Sequence, residues 1–459
     1  MPDAAAGLTM ELDADANPVI GAGHLMRCAA LAEAWLDLGL GAVRFAGALD
    51  LPFTASRASL LVARAPERTG ASTVLVSDSY DQPRRERAAR RDDVRARILV
   101  DDLCRPVPEG FDAVWNPSPR ASQLDYPRFR GAVLAGPDVL PIRTGLPHWC
   151  GAPGPTAVLL GGGRPLPHVS AALDLLATRH DPGAFARLGD WMPRVWAALD
   201  PHRPWDGIAR CGRLLTGAGA TLWEAATVQV PVAVMLLAEN QRRGFEWAVN
   251  AGAPGIDALA ITSVNTLAEQ FAAALPAAVP LPPMRAGTER VARWIGALAG
   301  SRAHPSSGLR LRPGLAADAY PLWLWANDTV TRAASFGRPP IEWQKHREWL
   351  GAQLADPAVL LLLAEATDHC PIGVLRLQTS DHWVTARLSY GLALEARGRG
   401  LGHALVTAGL DALRAFHPLA RVEAEVATGN APSLKIFRRL GWSEQRSADR
   451  IVFDSGRDE

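Results

Sequence analysis

Arg397-Gly398-Arg399-Gly400-Leu401-Gly402 and, starting 28 residues after its last glycine, Asn430-x-x-Ser433-x-x-x-Phe437-x-x-x-Gly441-Trp442 decide how the C-terminal part of this chain is read. The first stretch lies between an expected strand, Arg387–Leu394, and an expected helix, Leu401–Phe416. Its spaced glycines let the backbone approach a ligand closely. The helix behind them presents unpaired N–H groups and a partial positive charge. Together they make a site for a pyrophosphate. In the second stretch Asn430 and Ser433 suit a helix N-terminus, with Pro432 in the first turn.

Working outward, residues 309–455 read as one α+β domain. Its expected strands are 309–313, Val359–Glu365, Ile372–Gln378 and Val422–Ala427; Pro321–Trp325, Trp343–Leu354 and Ala431–Leu440 read as helical. The polar stretch 301–308 reads as a linker. Upstream, 1–145 alternates helical patterns with strand-like runs at Val43–Ala46, Thr73–Ser77, Ile98–Val100 and Ala113–Trp115, which suggests a parallel sheet. Ligands bind such sheets outside the carboxyl ends of the strands, along a rim that holds Asp78, Tyr80, Asp101, Asp102 and Asn116. A second unit, 156–300, carries Ala157–Leu160 ending in Gly161-Gly162-Gly163, then Arg213–Thr216 ending in Gly217-Ala218-Gly219-Ala220, and the strand Val230–Leu237. The segment from Gly163 to Leu214 is short for a full lobe, so one βα unit is expected to be reduced.

Composition sets limits. The chain has 459 residues, 48 Lys+Arg against 47 Asp+Glu, and 48% hydrophobic content. The length predicts several domains, and a net charge of +1 gives no field to steer nucleic acid or an anionic membrane. Five scattered cysteines without a CxxC pair fit reduced thiols and suggest no metal site. The acidic N-terminus is not a signal peptide, and no apolar run reaches the roughly 18 residues of a membrane span. A soluble cytoplasmic protein is expected, and its oligomeric state is not read from the sequence.

The paired C-terminal stretches resemble the GNAT superfamily of N-acetyltransferases over about 309–455. The resemblance implies acetyl-CoA as co-substrate and no metal. Arg397, Gly398, Arg399, Gly400, Leu401 and Gly402 would hold its pyrophosphate, and Asn430, Ser433 and Phe437 would flank pantetheine and thiol. A strand bulge near Ser389–Leu392 would polarise the thioester carbonyl, and Leu392 and Leu394 count with the cofactor-binding residues. Many relatives carry Tyr where this chain has Phe437, which cannot donate a proton, so thiolate protonation uses water or another group or needs no dedicated acid. Glu395, Asp381 and His382 are candidate bases. Trp325-Ala326-Asn327-Asp328 resembles the opening helix of acetyltransferases that act on amino sugars or ribosomal proteins.

A second resemblance covers roughly 10–255. Gly21-Ala22-Gly23-His24, Ser77-Asp78-Ser79-Tyr80, Trp115-Asn116-Pro117, Gly217–Ala225 and Glu239-Asn240-Gln241, in that order, resemble the UDP-sugar hydrolases of pseudaminic acid biosynthesis and related spore-coat polysaccharide proteins. It implies a GT-B fold, two Rossmann-like lobes about a cleft, here with a shortened second lobe. His24 would be the catalytic base, since a helix N-terminus disfavours the imidazolium. Tyr80 would be an active-site tyrosine. Gly217, Gly219 and Thr221 would bind the UDP phosphates, Glu224 the ribose hydroxyls, and Asn240 and Gln241 would border the sugar. Asp15, Gly21, Gly23 and Asn116 count with the substrate-binding residues. Asp13 stands where the family has Arg, and Arg164 where it has an acid.

The joint expectation is a bifunctional enzyme that acetylates a UDP-linked amino sugar and hydrolyses the UDP-linked diacetamido-trideoxy product, as in nonulosonic acid biosynthesis. The alternatives are an acetyltransferase with a catalytically inactive UDP-sugar-binding module, a GT-B glycosyltransferase fused to an acetyltransferase, and a protein N-terminal acetyltransferase.

Overall fold

The computed structural model describes residues 8–456 apart from 18–21, 51, 65–72, 120, 122–124, 127, 130, 137–138, 144, 162–165, 189–191, 201–202, 285, 301–308, 336–338, 357, 367–369, 381–382 and 415–419. The expected linker 301–308 therefore lies outside the described residues. The chain is mixed α/β, with two parallel sheets followed by a mixed sheet.

The first unit runs β1 (Leu8–Ala14), α1 (Gly23–Asp37), β2 (Gly41–Ala46), α2 (Pro52–Ala63), β3 (Thr73–Asp78), α3 (Gln82–Ala89), β4 (Val94–Val100), β5 (Ala113–Asn116) and β6 (Ala132–Ala135). Its strands pair in parallel in the order β2-β1-β3-β4-β5-β6. Strand β1, second in that order, was not expected from the sequence, because Glu11 and Asp13 interrupt its apolar run. Leu8, Met10 and Leu12 alternate into the core, and Glu11 is balanced by Arg91 at 3.0 Å and by Arg44.

The second unit runs β7 (Thr156–Leu159), α4 (Pro167–Arg179), β8 (Phe185–Arg187), β9 (Ala197–Ala198), α5 (Pro204–Ile208), β10 (Arg213–Gly217), α6 (Ala220–Val228), β11 (Val232–Leu236), α7 (Arg242–Asn250), β12 (Gly255–Asp257) and α8 (Val264–Ala274). The order β12-β11-β10-β7-β8-β9 is that of a doubly wound sheet. All six strands are present. The expected shortening falls on β8 and β9, of three and two residues.

The third unit follows α9 (Thr288–Gly300). It runs β13 (Arg310–Pro313), α10 (Ala319–Asn327), α11 (Thr329–Ala334), α12 (Trp343–Ala355), β14 (Val359–Glu365), β15 (Pro371–Thr379), β16 (Thr385–Leu392), α13 (Leu401–Arg414), β17 (Arg421–Ala427), α14 (Ala431–Arg439), β18 (Ser443–Arg446) and β19 (Arg450–Asp454). The sheet order is β13-β14-β15-β16-β17-β19-β18. Only the β16–β17 pair is parallel, and it is matched over three residues, Thr385 to Arg387 against Arg421 to Glu423. Beyond that β16 stays with β15 while β17 stays with β19, so the two strands part.

The helix α9 crosses back from the second unit to the first. Gly287 passes so close to Leu140 that a Cβ would sit 2.5 Å from its backbone nitrogen, and Thr288 donates to the Ile142 carbonyl at 2.8 Å. α9 then lies between α1 and α13. Val291, Ala292, Trp294, Ile295 and Leu298 join Leu12 and Trp115 of the first unit and Leu375 and Leu405 of the third in one continuous core. Arg293 stacks over Trp383 at 5.6 Å. The first and third units, which the sequence suggests as separate domains, thus share a hydrophobic interior.

Ile295→Ala is expected to cost about 2–5 kcal/mol, the usual range for truncating a fully buried aliphatic side chain. Hydrogen exchange should speed up in both α1 and α13; acceleration confined to one of them contradicts a shared core.

Candidate active sites

Strand order directs attention to two places, because a doubly wound sheet offers its crevice where the order reverses. In the first unit that point is between β1 and β3, and in the second between β7 and β10. His24, in the first turn of α1, and Asp78, the last residue of β3, meet at the first: His24 Nδ1 lies 2.6 Å from Asp78 Oδ1. Arg27, one turn along α1, donates to both Asp78 oxygens at 2.5 and 2.6 Å and to Asp102 at 2.7 Å. Asp78 is 1% exposed. Burial alone pushes its carboxyl up, but the Arg27 and His24 charges and hydrogen bonds hold it well below the usual carboxylate range. In the tautomer that donates Nδ1–H to Asp78, Nε2 carries the lone pair, and no protein partner reaches Nε2 among the described residues.

Tyr80 stands edge-on to the His24 ring, with centroids 4.5 Å apart. Its hydroxyl donates to Asp102 at 2.8 Å and accepts from Asn240 of the second unit at 2.9 Å. Burial and the Asp102 charge push the phenol up. Asn240 precedes Gln241, whose side chain lies against Gly217 and Gly219 at the end of β10. There α6 starts with no side-chain cap, so its first N–H groups, near Thr221, have no partner within the helix. Tyr80 thus touches both His24 and Asn240, and Gln241, next in sequence, lies beside the Gly217–Thr221 turn, with Gly23 opening α1. Asp78, Arg27 and Asp102 complete this group. Sequence reasoning placed the two aspartates on the rim without a role and passed over Arg27, although its i+3 spacing from His24 puts both on one helix face.

Other expected residues lie differently. Glu224 is not open to a ribose: Arg143 holds its carboxylate at 2.6 and 3.0 Å and Trp205 donates to it at 2.8 Å. Asn116 is fully buried and bonded to Tyr126 and Ser118. Asp15 takes the Ala48 N–H at 2.8 Å and pairs with Arg84, which also pairs with Asp13. α3 therefore delivers a guanidinium where the chain itself carries Asp13. Gly21 and Arg164 lie outside the described residues, as do Gly162 and Gly163.

In the third unit Gly398 and Gly400 have φ of +73° and +76°, with open space where a Cβ would stand. They lead into α13 at Leu401 and Gly402, whose first-turn N–H groups have no helical acceptor. Glycines ahead of unpartnered helix N–H groups are an arrangement suited to a phosphate, and Gly402 lies beside Tyr390 and Leu392 of β16, where that strand has left β17. Two expectations change. The β15–β16 ladder runs regularly from Gly373↔Leu392 to Thr379↔Ala386, so there is no bulge near Ser389–Leu392 among the described residues; strand divergence makes the opening. The Arg397 side chain is not free for phosphate. It donates to Asp328 at 2.7 Å, to Thr331 at 2.9 Å and to the Leu392 carbonyl at 3.0 and 3.1 Å. Leu394 is exposed in the short turn before the loop, and the exposed Arg399 flanks the glycines. On the far side Asn430 caps α14 by accepting the Ser433 N–H at 3.3 Å. Phe437 is buried in core contact with Phe453 and Trp442. Of the candidate bases, Asp381 and His382 lie outside the described residues, and Glu395 sits in the exposed turn before the loop.

Residues 308–443 match the family described as the acetyltransferase (GNAT) domain. The C-terminal unit is a GNAT acetyltransferase domain. Acetyl-CoA is the co-substrate of such domains. Over this domain the chain is similar to the spermidine N-acetyltransferase from Vibrio cholerae solved with CoA and spermine, at 18% identity, 32% of this chain, 93% of that one and a TM-score of 0.30. It is similar to a phosphinothricin acetyltransferase from Sinorhizobium meliloti solved with acetyl-CoA, at 18% identity, 32% and 87% coverage and a TM-score of 0.29. A ribosomal-protein-alanine N-acetyltransferase from Brucella melitensis gives 22% identity, 31% and 97% coverage and a TM-score of 0.28. No curated protein matches the chain. Among the described residues no helix is long and apolar enough to cross a membrane, and no group of three or more His, Cys, Asp or Glu is placed to hold a metal ion.

The Asp328 tie has a pH signature. Burial raises its pKa, but the Thr331 N–H and the Arg397 guanidinium outweigh it and bring it down to about 2. Against an unfolded value of about 3.9, its stabilisation is complete above that value and is lost as pH falls toward 2. Asp328→Asn keeps the cap on α11 but not the charge. Its thermal midpoint should lie below wild type near neutral pH and converge on it in acid; an offset that stays constant with pH contradicts the assignment.

Proposed function

We propose that the chain is a bifunctional enzyme of UDP-amino-sugar processing, in which the GNAT domain acetylates the amino group and the N-terminal cleft releases UDP from the product. The observation that carries the cleft assignment is the buried His24–Asp78 pair at one strand-order reversal, bridged through Tyr80 and Asn240 to the uncapped helix at the other. A GT-B arrangement, two doubly wound lobes about a cleft with a helix crossing back, is consistent with that reading.

In the proposed hydrolysis His24 Nε2 takes a proton from water as the water oxygen bonds to the anomeric carbon. The bond from that carbon to the diphosphate oxygen breaks, and UDP leaves with the electron pair. Asp78 fixes the tautomer and stabilises the imidazolium as it forms. The α6 N–H groups stabilise the departing charge. Tyr80 donates its hydroxyl hydrogen bond to Asp102 and keeps its proton, so it shapes the wall beside His24 rather than acting as an acid. In the acetyltransferase domain a neutral amine attacks the thioester carbonyl and the C–S bond breaks, the 397–402 cradle having positioned the donor.

One observation favours a second reading, that the cleft binds a nucleotide sugar without hydrolysing it. Glu224 is engaged by Arg143 and Trp205 rather than open to a ribose.

Incubation with a UDP-4-amino sugar and acetyl-CoA is expected to give acetylated free sugar and UDP by mass spectrometry. His24→Ala should slow UDP release by roughly 10²–10⁴-fold and leave acetylation unchanged. UDP binding with no release at any enzyme concentration would leave the second reading. Sugar found only on an added acceptor would make the cleft a glycosyltransferase. Asp78→Asn, tested alongside, should lower UDP release while acetylation stays intact; full release in that variant removes Asp78 from the mechanism.

A further inference from the structure

Acyl transfer from a thioester leaves a thiolate, and the residue that the sequence places near the thiol, Phe437, has no proton to give. The opening between β16 and β17 holds another candidate. Tyr390 sits on β16 three residues beyond the last matched pair with β17. Its ring edge lies 3.6 Å from where a Cβ on Gly402 would stand, against the first turn of α13. Its hydroxyl reaches across to the Ser433 hydroxyl in the first turn of α14, at 2.9 Å. Phe437 backs the ring, edge to face at 6.2 Å. The phenol therefore spans the two helix starts, α13 at Gly402 and α14 at Ser433, that border the opening.

We propose that Tyr390 donates the proton taken up by the departing CoA sulfur, with Ser433 holding its hydroxyl in position. As the amine nitrogen bonds to the carbonyl carbon, the C–S bond breaks and its electron pair goes to sulfur. The sulfur takes the phenolic proton, the nitrogen loses one to water, and the phenolate regains one from water. No further reactant is needed. Burial of the ring raises the phenol above its ordinary value and keeps it protonated at neutral pH. The proposal rests on the acetyltransferase assignment and not on the identity of the acceptor.

The test uses the full chain with Tyr390→Phe, which keeps the ring, and Ser433→Ala. CoA release from acetyl-CoA is followed with a UDP-4-amino sugar as acyl acceptor and, separately, with water. The thiol of bound CoA is titrated by its thiolate absorbance. Tyr390→Phe is expected to lower kcat by roughly 10²-fold in any arm that turns over, with KM for acetyl-CoA within about twofold. The bound thiol should titrate about one unit higher, because its thiolate loses a hydrogen-bond donor. Ser433→Ala should show the same signs with smaller changes. An unmoved thiol titration overturns the proposal, as does a raised KM with kcat preserved. If the thiol titration moves while the sugar arm is silent in wild type, the acceptor assignment falls and Tyr390 stands.

Discussion

Burial of α9 is the constraint on which the molecule depends. The helix is apolar on two sides, and each side faces a different sheet. Full burial of a Val, Leu or Ile side chain contributes about 1.5–3 kcal/mol, and α9 buries Val291, Ile295 and Leu298 together. That sum is comparable to the net stability of a typical domain, about 5–15 kcal/mol. Removing α9 would expose the inner face of α1 and one flank of α13 at once. These two helices begin at His24 and at the glycine cradle, so the two proposed reactions rest on opposite sides of one helix.

A buried carboxylate imposes the second constraint. Asp78 in the interior is unfavourable unless its charge is compensated, and Arg27 and His24 supply that compensation. Arg27 then extends to Asp102, and Asp102 accepts the Tyr80 hydroxyl. The requirement to satisfy one carboxylate therefore positions the His24 and Tyr80 rings together. The same logic applies to Arg397, which ties α11 to the end of β16 through Asp328 and leaves phosphate binding to backbone N–H groups. Glycines and helix starts can carry positive potential in a chain with almost no net charge, which is what the two proposed phosphate sites would use.

Much of this was legible in the sequence, and the misses have physical causes. The Gly398–Gly402 loop and the Asn430 cap were readable because positive-φ glycines and capping residues are local requirements. His24, Tyr80 and Asn240, which the motif order assigns to one site, lie in contact. β1 was hidden because Glu11 and Asp13 interrupt its apolar run, and their arginine partners come from β2, α3 and the turn after it. Glu224 looked available because Arg143, its partner, lies 81 residues away. Arg397 looked like a phosphate ligand because nothing local announces Asp328 as its acceptor. Such pairings are properties of the assembled fold, and spacing along the chain does not encode them. The shared core was equally invisible: α9 shows its apolar character in sequence, but not that two sheets compete for it.

The second lobe is lean at its edges. Its shortest strands are β9, β8 and β12, and the sheet order places them at or beside the two edges. The strands that flank the order reversal, β7 and β10, keep four and five residues, and their ends carry Leu159 and Gly217. Edge strands contribute little to a crevice that forms at the sheet centre. Trimming them reduces the interior of the lobe, and that is compensated by α4 and α8 packing over its face through Leu173, Leu176 and Phe271. The economy of residues therefore falls at the sheet edges, away from Gly217, Gly219 and Gln241.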